Sequence, residues 1–311
     1  MIGNADGVLI QLPAVYTSGR HVAQEASTTV SETPDIPLSG GRDYSRVVIV
    51  APTFNHGVAL PGVLESLEKL GLPIIVVNDG ATDSTPEVLR NWLGARVNEG
   101  AREVVTHELN QGKAAALLSG FSAARRRGFL HALTFDTDGQ HDATDVPALL
   151  RLSSQNPAAL IVGSRSRVNA KGPLASNVGR AISNRLVWLE SGVRVSDSQS
   201  GMRVYPLELT ARVDATASRY GFETEVLTRA GWLGVAVIET PIRCIYDVPG
   251  GRTSHFRIVG DSLRAMGMHA SLVARSLLPG PVRLDVDESA YPTGSIPRRL
   301  ALWFSPRRLW R

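Results

Sequence analysis

The sequence predicts an α/β protein built on a mostly parallel β-sheet with helices on both faces. Two early runs rich in Val and Ile, at 47–51 and 74–77, are typical of buried strands, because a parallel sheet is covered on both faces. Between them, Leu60, Leu64 and Leu67 recur at helical spacing. Strands and helices then continue to alternate along the chain, and this alternation predicts a mostly parallel sheet with helices on both faces.

Local signals mark the first elements. Pro52 ends the first strand, Gly71-Leu72-Pro73 stops the first helix, and Thr82 or Asp83 can cap the second helix. The later strands are predicted at 103–107, 130–135, 159–162, 202–205 and 235–240. The later helices are predicted at 111–127, 145–152, 175–190, 223–232 and 256–278, the last of them amphipathic.

Composition divides the chain into four segments. Residues 1–43 are rich in Ser, Thr, Gly and Pro and are predicted to form a flexible N-terminal tail. Residues 44–247 form the predicted α/β domain. A basic amphipathic helix region follows at 248–280, and a basic and aromatic C-terminal tail at 281–311.

The bulk properties are those of an ordinary globular protein. Of 311 residues, 43% are hydrophobic, and the net charge of +4 is modest and spread out, so it does not predict a nucleic-acid partner. Cys244 is the only cysteine, which excludes an intrachain disulfide. Because we find neither a secretory signal nor an apolar run of about 18 residues, we expect a protein that is soluble or attached to a membrane from one side.

An acidic stretch follows the fourth predicted strand. Asp136 and Asp138 lie two residues apart where the chain begins to turn at Gly139, so both carboxylates can converge on one point. Together with the amide oxygen of Gln140, they offer the hard oxygen ligands that Mg²⁺ or Mn²⁺ prefers. The alternative is a solvated acidic turn without function.

Other polar motifs stand at neighbouring strand ends or open a helix. They are Pro52-Thr53-Phe54-Asn55, Asn78-Asp79-Gly80-Ala81-Thr82-Asp83 and Asn110-Gln111-Gly112-Lys113. Ligands of parallel α/β sheets bind beyond the carboxyl ends of the strands. The amides and Lys113 at the start of a helix could meet an anion. Taken singly, each motif could equally be a turn, a helix cap or a solvated lysine.

Together, in this order, the motifs resemble those of a family 2 glycosyltransferase with the GT-A (Rossmann-like) fold, and in particular the dolichyl-phosphate mannosyltransferase-like subgroup. The resemblance covers residues 46–247. It also includes Gly163-Ser164-Arg165, Asp197-Ser198-Gln199-Ser200-Gly201-Met202-Arg203 and Phe222-Glu223-Thr224-Glu225.

The resemblance implies a role for each matched residue. Asp79 would hydrogen-bond the base, and Asp136, Asp138 and Gln140 would hold the metal and the diphosphate. The residues implied to bind the nucleotide sugar or a phosphate are Pro52, Thr53, Asn55, Asp79, Gly112, Lys113, Arg165 and Arg180. Two positions depart from the family pattern: His56 stands where Glu is usual, and Asn78 where an acid is usual.

The implied function is a metal-dependent, inverting transfer of a hexose from a nucleotide sugar (GDP- or UDP-hexose) to a polyprenyl-phosphate lipid of the dolichyl or undecaprenyl type. A lipid phosphate is already anionic, whereas a hydroxyl acceptor needs a general base. The candidate bases are Asp197, Glu223 and Glu225. Glu223 and Glu225 diverge on a helix, so only one should face the cleft, and we favour Glu225.

Three alternatives stay open from the sequence. They are transfer to a hydroxyl of a glycan or glycolipid, a nucleotide-sugar-binding protein of the same fold without turnover, and a nucleotidyltransferase.

We expect a cytoplasmic protein, peripheral on the inner face of the membrane. Helix 256–278 could lie on the membrane, or its apolar face could pack on the domain or on a second subunit of a homo-oligomer. Residues 298–311 combine arginines with aromatic residues and could strengthen membrane contact.

Overall fold

The computed structural model describes residues 44–94, 102–165, 174–213, 221–245 and 258–277. The predicted tails at 1–43 and 281–311 lie outside the described residues, as does the basic segment that leads into the last helix.

Seven strands form one mostly parallel sheet, as the sequence predicts. They are β1 (Val47–Thr53), β2 (Ile74–Asp79), β3 (Arg102–His107), β4 (His131–Thr134), β5 (Leu160–Ser164), β6 (Arg203–Pro206) and β7 (Val237–Pro241). Their order across the sheet is β3-β2-β1-β4-β6-β5-β7. Strand β6 runs antiparallel to both β4 and β5, and the other neighbouring pairs are parallel. The carboxyl ends of β1, β2 and β4 therefore meet at one edge of the sheet.

Eight helices surround this sheet in the described part of the chain. They are α1 (Leu60–Glu68), α2 (Thr85–Gly94), α3 (Lys113–Arg126), α4 (Val146–Gln155), α5 (Leu174–Ser191), α6 (Leu207–Arg212), α7 (Phe222–Trp232) and α8 (Ile258–Leu277). Helix α6 is absent from the sequence prediction, because its six residues are too short to show a helical period.

Strand β1 explains why the first run is apolar throughout. All seven of its residues are buried. Ile49 packs in a core on one face of the sheet with Leu64 of α1, while Val50 packs in a second core on the other face with Phe121 of α3. Helix α3 approaches closely, because a Cβ at Gly120 would lie 2.4 Å from Val50 Cγ1. The predicted helices on both faces are thus confirmed.

Helix α8 packs against α5 and α7. Its His269 is 7% exposed, and Nδ1 lies 2.7 Å from Oε1 of Glu190, which is fully buried on α5. Thr228 of α7 donates a 3.0 Å hydrogen bond to the other oxygen of Glu190. The buried Leu272 lies on the same helix. Of the three possibilities raised for this helix, the structure therefore contains packing on the domain. Contact with a membrane or with a second subunit stays a prediction.

Within the described ranges, none of the helices combines the length and the apolar character needed to cross a bilayer.

Candidate active site

The site lies beyond the carboxyl ends of β1, β2 and β4, where ligands of parallel sheets bind. At the end of β2, Asp79 is only 2% exposed, and its carboxylate is surrounded by donors. Oδ1 accepts from the backbone amide of Gln111 at 2.9 Å and from Nδ1 of His107 at 2.7 Å. Oδ2 accepts from the amide of Gly112 at 2.7 Å and from Asn110 Nδ2 at 3.1 Å. Asp79 therefore fixes the turn that leads into α3.

Glycines allow this turn to approach β2. Gly80 has a φ of +68°, and a Cβ there would lie 2.5 Å from the backbone nitrogen of Asn110. Gly112, which precedes α3, has a φ of +94°. Because L side chains rarely adopt such angles, glycine suits both positions. The result is that Lys113 stands at the first position of α3, directed toward the acidic stretch.

Lys113 joins two acids from distant parts of the chain. Its Nζ lies 2.6 Å from Oδ1 of Asp136 and 2.7 Å from Oε1 of Glu223 at the start of α7. Burial alone would lower the pKa of Lys113, but these two carboxylates raise it above its usual value. Burial would likewise raise the pKa of Asp136, but the charge of Lys113 and the nearby His141 hold it well below its usual range. Lys113 and Asp136 are therefore both charged at neutral pH.

Asp136 also contacts a glycine of a segment distant in sequence and a nearby histidine. Its carboxylate lies against the α-carbon of Gly201, where a Cβ would come within 2.1 Å of Oδ2. His141 Nε2 lies 3.6 Å from the same oxygen. This places the Gln-Ser-Gly segment directly beside the acidic stretch.

The predicted metal ligands have the right chemistry but not a closed cage. Asp138 accepts a 3.0 Å hydrogen bond from the backbone amide of Gln140, and both side chains are partly exposed. Within the described ranges, no cluster of three or more His, Cys, Asp or Glu side chains is arranged to hold a metal ion. Lys113, however, demonstrates that a positive charge is stabilised beside Asp136. The carboxylate and amide oxygens of Asp136, Asp138 and Gln140 are of the type that Mg²⁺ or Mn²⁺ prefers, and these ions accept few protein ligands and retain waters or phosphate oxygens. Their assignment as metal ligands stays a prediction.

A second charged cluster lies at the end of β5. Arg165 holds Asp197 by two side-chain hydrogen bonds, Nε to Oδ2 at 2.7 Å and Nη2 to Oδ1 at 2.9 Å. Arg180 of α5 has Nη1 4.0 Å from Oδ2 of Asp197. Although burial opposes the charged form, these arginines lower the pKa of Asp197. The cluster brings together Arg165 and Arg180, both predicted to bind phosphate.

The first motif is braced by hydrogen bonds. Asn55 has a φ of +55°, and its side-chain oxygen accepts a 2.8 Å hydrogen bond from the amide of Thr82. Thr137 donates to the carbonyl of Pro52 at 2.9 Å, and His56 Nδ1 lies 2.9 Å from the Thr137 hydroxyl. The departure at His56 therefore links the first motif to the acidic stretch. Thr53 at the end of β1 is buried.

The two acids on α7 point to different partners. Glu223 contacts Lys113, whereas Glu225 pairs with Arg229 at 2.7 Å on its own helix. Both are buried rather than exposed. We favoured Glu225 as the acid that faces the cleft, but it is Glu223 that contacts Lys113, while Glu225 pairs with Arg229. The role of Glu225 as a general base stays a prediction.

Sequence reasoning missed other contributors. His107 donates to Asp79 and lies 2.9 Å from the Ser119 hydroxyl through Nε2, and no motif marked it. Gly201 was noted only as part of a matched segment. The signal that could have found it is a glycine beside a polar loop, which often marks a close approach of backbone to another group.

The chain is similar in sequence to known proteins. Residues 48–211 match the family described as Glycosyl transferase family 2. An uncharacterized protein of Methanocaldococcus jannaschii is 32% identical over 64% of this chain and 82% of its own length. The UDP-N-acetylglucosamine–dolichyl-phosphate N-acetylglucosaminyltransferase of Methanococcus voltae is 28% identical over 64% of this chain and 86% of its own. The undecaprenyl-phosphate mannosyltransferase of Micrococcus luteus is 27% identical over 70% of this chain and 91% of its own.

A solved structure shares the fold. Glucosyl-3-phosphoglycerate synthase from Mycobacterium tuberculosis, in complex with Mn²⁺ and uridine-diphosphate-glucose, superposes with a TM-score of 0.53. It is 19% identical and covers 76% of this chain and 81% of its own. The sequence match, the mostly parallel sheet and the motifs gathered at its carboxyl edge lead to one conclusion: the chain is a glycosyltransferase of the GT-A fold and belongs to glycosyl transferase family 2, in its dolichyl-phosphate mannosyltransferase-like group.

Proposed function

We propose that this enzyme transfers a hexose from a nucleotide sugar to a polyprenyl-phosphate lipid, with inversion at the anomeric carbon and with the help of a divalent cation. The observation that carries the proposal is Lys113, which lies between Asp136 and Glu223 at the start of α3. The arrangement provides a fixed positive charge, a helix N-terminus and oxygen ligands in one place. These are the features that a departing diphosphate requires.

The donor would bind with its diphosphate beside Lys113 and the acidic stretch. When bound, Mg²⁺ or Mn²⁺ held by Asp136, Asp138 and Gln140 would act as a Lewis acid toward the diphosphate. Lys113 would stabilise the negative charge that grows on the leaving group. Pro52, Thr53, Asn55 and Asp79 stay predicted as the residues that shape the nucleotide pocket.

In the reaction, an oxygen of the lipid phosphate attacks the anomeric carbon of the sugar. The new carbon–oxygen bond forms as the bond to the diphosphate breaks, and the bonding electrons leave with the nucleoside diphosphate. Attack from the face opposite the leaving group inverts the anomeric centre. No proton has to move, because the acceptor phosphate is already ionised at neutral pH.

The ion pairs favour a phosphate acceptor over a hydroxyl. Each predicted base is bound to a cation: Asp197 to Arg165, Glu223 to Lys113 and Glu225 to Arg229. The lowered pKa of Asp197 makes that carboxylate a weak base. The arginines around Asp197, in contrast, suit an anionic acceptor.

The relatives point the same way. The names of the Methanococcus and Micrococcus proteins both give a polyprenol-type phosphate as acceptor, while the transferred sugars differ. We therefore extend the acceptor class to this chain and leave the sugar as a choice between GDP- and UDP-hexoses. Because such an acceptor is a membrane lipid, we propose that the enzyme works at the inner face of the membrane.

The direct test is transfer. The purified full-length chain would be incubated with undecaprenyl phosphate in detergent, with each of a panel of GDP- and UDP-hexoses, and with Mg²⁺, Mn²⁺ or EDTA. We expect a hexosyl-phosphate lipid by mass spectrometry and an equal amount of nucleoside diphosphate, both abolished by EDTA. The proposal would be refuted if the chain showed no transfer and if no nucleotide stabilised it in a metal-dependent way.

The same assay separates the alternatives. A nucleotidyltransferase would release inorganic diphosphate instead. A binding protein would be stabilised by a nucleotide sugar without turnover. For a phosphate acceptor, Glu225→Gln is expected to lower the rate less than about tenfold and to leave its pH profile unchanged, whereas a loss of several hundredfold would favour a hydroxyl acceptor with Glu225 as its base.

A further inference from the structure

Helix α5 presents an apolar face to solvent. Its inward side carries the buried residues Ser183, Val187 and Glu190, as its helical period requires. On the outward side, Val178 is 51% exposed and Ile182 is 57% exposed, one helical turn apart. They line an open groove of about 400 Å³, together with Ala181, Arg185 and Leu186. The usual amphipathic order, with the polar face outward, is therefore reversed in this half of α5.

The charge on this face has one sign. Glu190 is the only acid in α5, and it is fully buried against His269. Arg185, in contrast, is exposed, and its guanidinium carbon lies 4.2 Å from the ring centroid of Trp188. Arg194 stacks on the same ring at 5.4 Å. The groove is thus apolar, flanked by an aromatic ring and by arginines, without an exposed acid on its own helix.

The opposite side of α5 faces the charged cluster of the site. Arg180, on the inward side, has Nη1 4.0 Å from Asp197, which Arg165 also holds. A helix with its side chains is about 10 Å across. Anything that rests on the outward face of α5 therefore lies about one helix diameter from the arginines proposed to receive the acceptor phosphate.

We propose that the outward face of α5, formed by Val178, Ala181, Ile182, Arg185 and Leu186, docks on a membrane leaflet that contains anionic lipids. The apolar side chains enter the boundary between headgroups and acyl chains, and the arginines pair with lipid phosphates. The inference rests on the proposed function, because it supplies the surface from which a membrane-borne acceptor reaches the site. It also moves the predicted membrane contact from α8 to α5.

A second copy of the chain fits this face less well. One face of a single helix is small compared with the roughly 800 Å² per partner that a stable dimer buries. A two-fold contact would also set this cationic face against itself. An anionic lipid surface has no such conflict.

Vesicle binding tests the proposal. The full-length chain would be sedimented with vesicles of phosphatidylcholine alone and with vesicles containing phosphatidylglycerol, at low and high salt. We expect binding to the anionic vesicles that weakens as salt rises, since salt screens the arginines. Ile182→Glu should lower the apparent affinity at least about tenfold, and Arg185→Gln about fivefold.

Matched controls come from α2. Leu93 is 46% exposed there, and Arg90 is exposed as well, so Leu93→Glu and Arg90→Gln make the same chemical changes away from α5. Both are expected to bind vesicles as the unmodified chain does. Thermal unfolding of all four variants, without nucleotide and with UDP or GDP, establishes that each is folded and keeps its nucleotide pocket.

Three outcomes would overturn the proposal. The first is that the unmodified chain does not bind anionic vesicles. The second is that the Ile182→Glu protein binds them as well as the Leu93→Glu control does. The third is a change of oligomeric state in Ile182→Glu, measured by light scattering, with vesicle binding intact, which would assign the face to a second copy. Transfer to a water-soluble, short-chain prenyl phosphate does not need a membrane. Its presence or absence therefore tests the proposed function separately.

Discussion

The carboxylate of Asp79 accepts a 2.7 Å hydrogen bond from the backbone amide of Gly112, the residue just before Lys113. Through this contact, the end of β2 sets where α3 begins. His107 supports the same carboxylate from β3, and it is itself 9% exposed. The family resemblance assigns Asp79 to the nucleotide base, but its two oxygens already serve four donors of the chain. We infer that Asp79 acts mainly by positioning Lys113.

Asp79→Asn tests this inference. The side-chain amide of asparagine would place its own N–H groups opposite backbone N–H donors that now hydrogen-bond to the carboxylate. We expect a loss of about 3 kcal/mol in the free energy of unfolding, since a hydrogen bond to a charged group contributes about 1.5–3 kcal/mol. Affinity for UDP and GDP should fall by the same factor, measured by calorimetry. Glu87→Gln, at an exposed acid on α2, is the control. A selective loss of one nucleotide would instead assign Asp79 to base recognition.

Lys113→Met removes the charge between Asp136 and Glu223 while keeping an unbranched side chain. We expect kcat/KM for transfer to fall at least about 100-fold, because one fixed charge on a leaving group is worth roughly 3 kcal/mol in the transition state. Binding of Mn²⁺ without nucleotide should become tighter, since the two acids lose their counterion. Lys69→Met, at an exposed lysine paired with Glu65, is the control. A variant within threefold of the unmodified rate would remove Lys113 from the mechanism.

Gly201→Ala tests the contact between the Gln-Ser-Gly segment and the acidic stretch. The added Cβ would lie 2.1 Å from Oδ2 of Asp136, so either the carboxylate or the loop must move. We expect a loss of transfer of at least about tenfold, together with a loss of stability of about 1–3 kcal/mol from overpacking. Gly62→Ala in α1 meets nothing within 4 Å and should stabilise the protein by about 0.5–1 kcal/mol. Equal activity of both variants would contradict the assigned contact.

The sequence was sufficient to predict those parts of the fold that depend on the local pattern of apolar and polar residues. Strands β1 and β2 are buried on both faces, so their apolar runs are continuous and easily recognised. The polar motifs at their ends follow from the same topology. The antiparallel insertion of β6 between β4 and β5 was not predicted, because strand order depends on contacts between distant segments rather than on local sequence.

The sequence predicted which residues are candidates for the site, but it did not predict which of them contact one another. Asp136 and Lys113 were both expected at the site, yet nothing in the sequence placed them 2.6 Å apart. The choice between Glu223 and Glu225 depends on how α7 is rotated, and its neighbours Phe222 and Val226 set that rotation by packing in the core beneath the helix. Since both acids are buried, their polarity alone could not distinguish them.

Tyr205 gives a prediction that does not depend on substrate. It is fully buried in β6, 5.2 Å from the ring of Phe121, and burial raises its pKa to about 12 from an ordinary value of 10.0. The unfolded chain therefore loses this proton first as pH rises. Stability from the neutral phenol is complete below about pH 10 and is lost between about pH 10 and 12.

Tyr205→Phe removes that titration. Relative to the variant, the unmodified chain should lose about 2 to 3 kcal/mol of unfolding free energy as pH rises from 9 to 12, because one pKa unit corresponds to about 1.4 kcal/mol. Urea unfolding at a series of pH values measures this difference. Tyr44→Phe, at a partly exposed tyrosine, is the control for loss of a phenol outside the core. The contradicting outcome is that the unfolding free energies of the Tyr205→Phe variant and the unmodified chain change in parallel over this pH range. The phenol of Tyr205 would then ionise as readily in the folded protein as in water. Its position in the core beside Phe121 would be wrong.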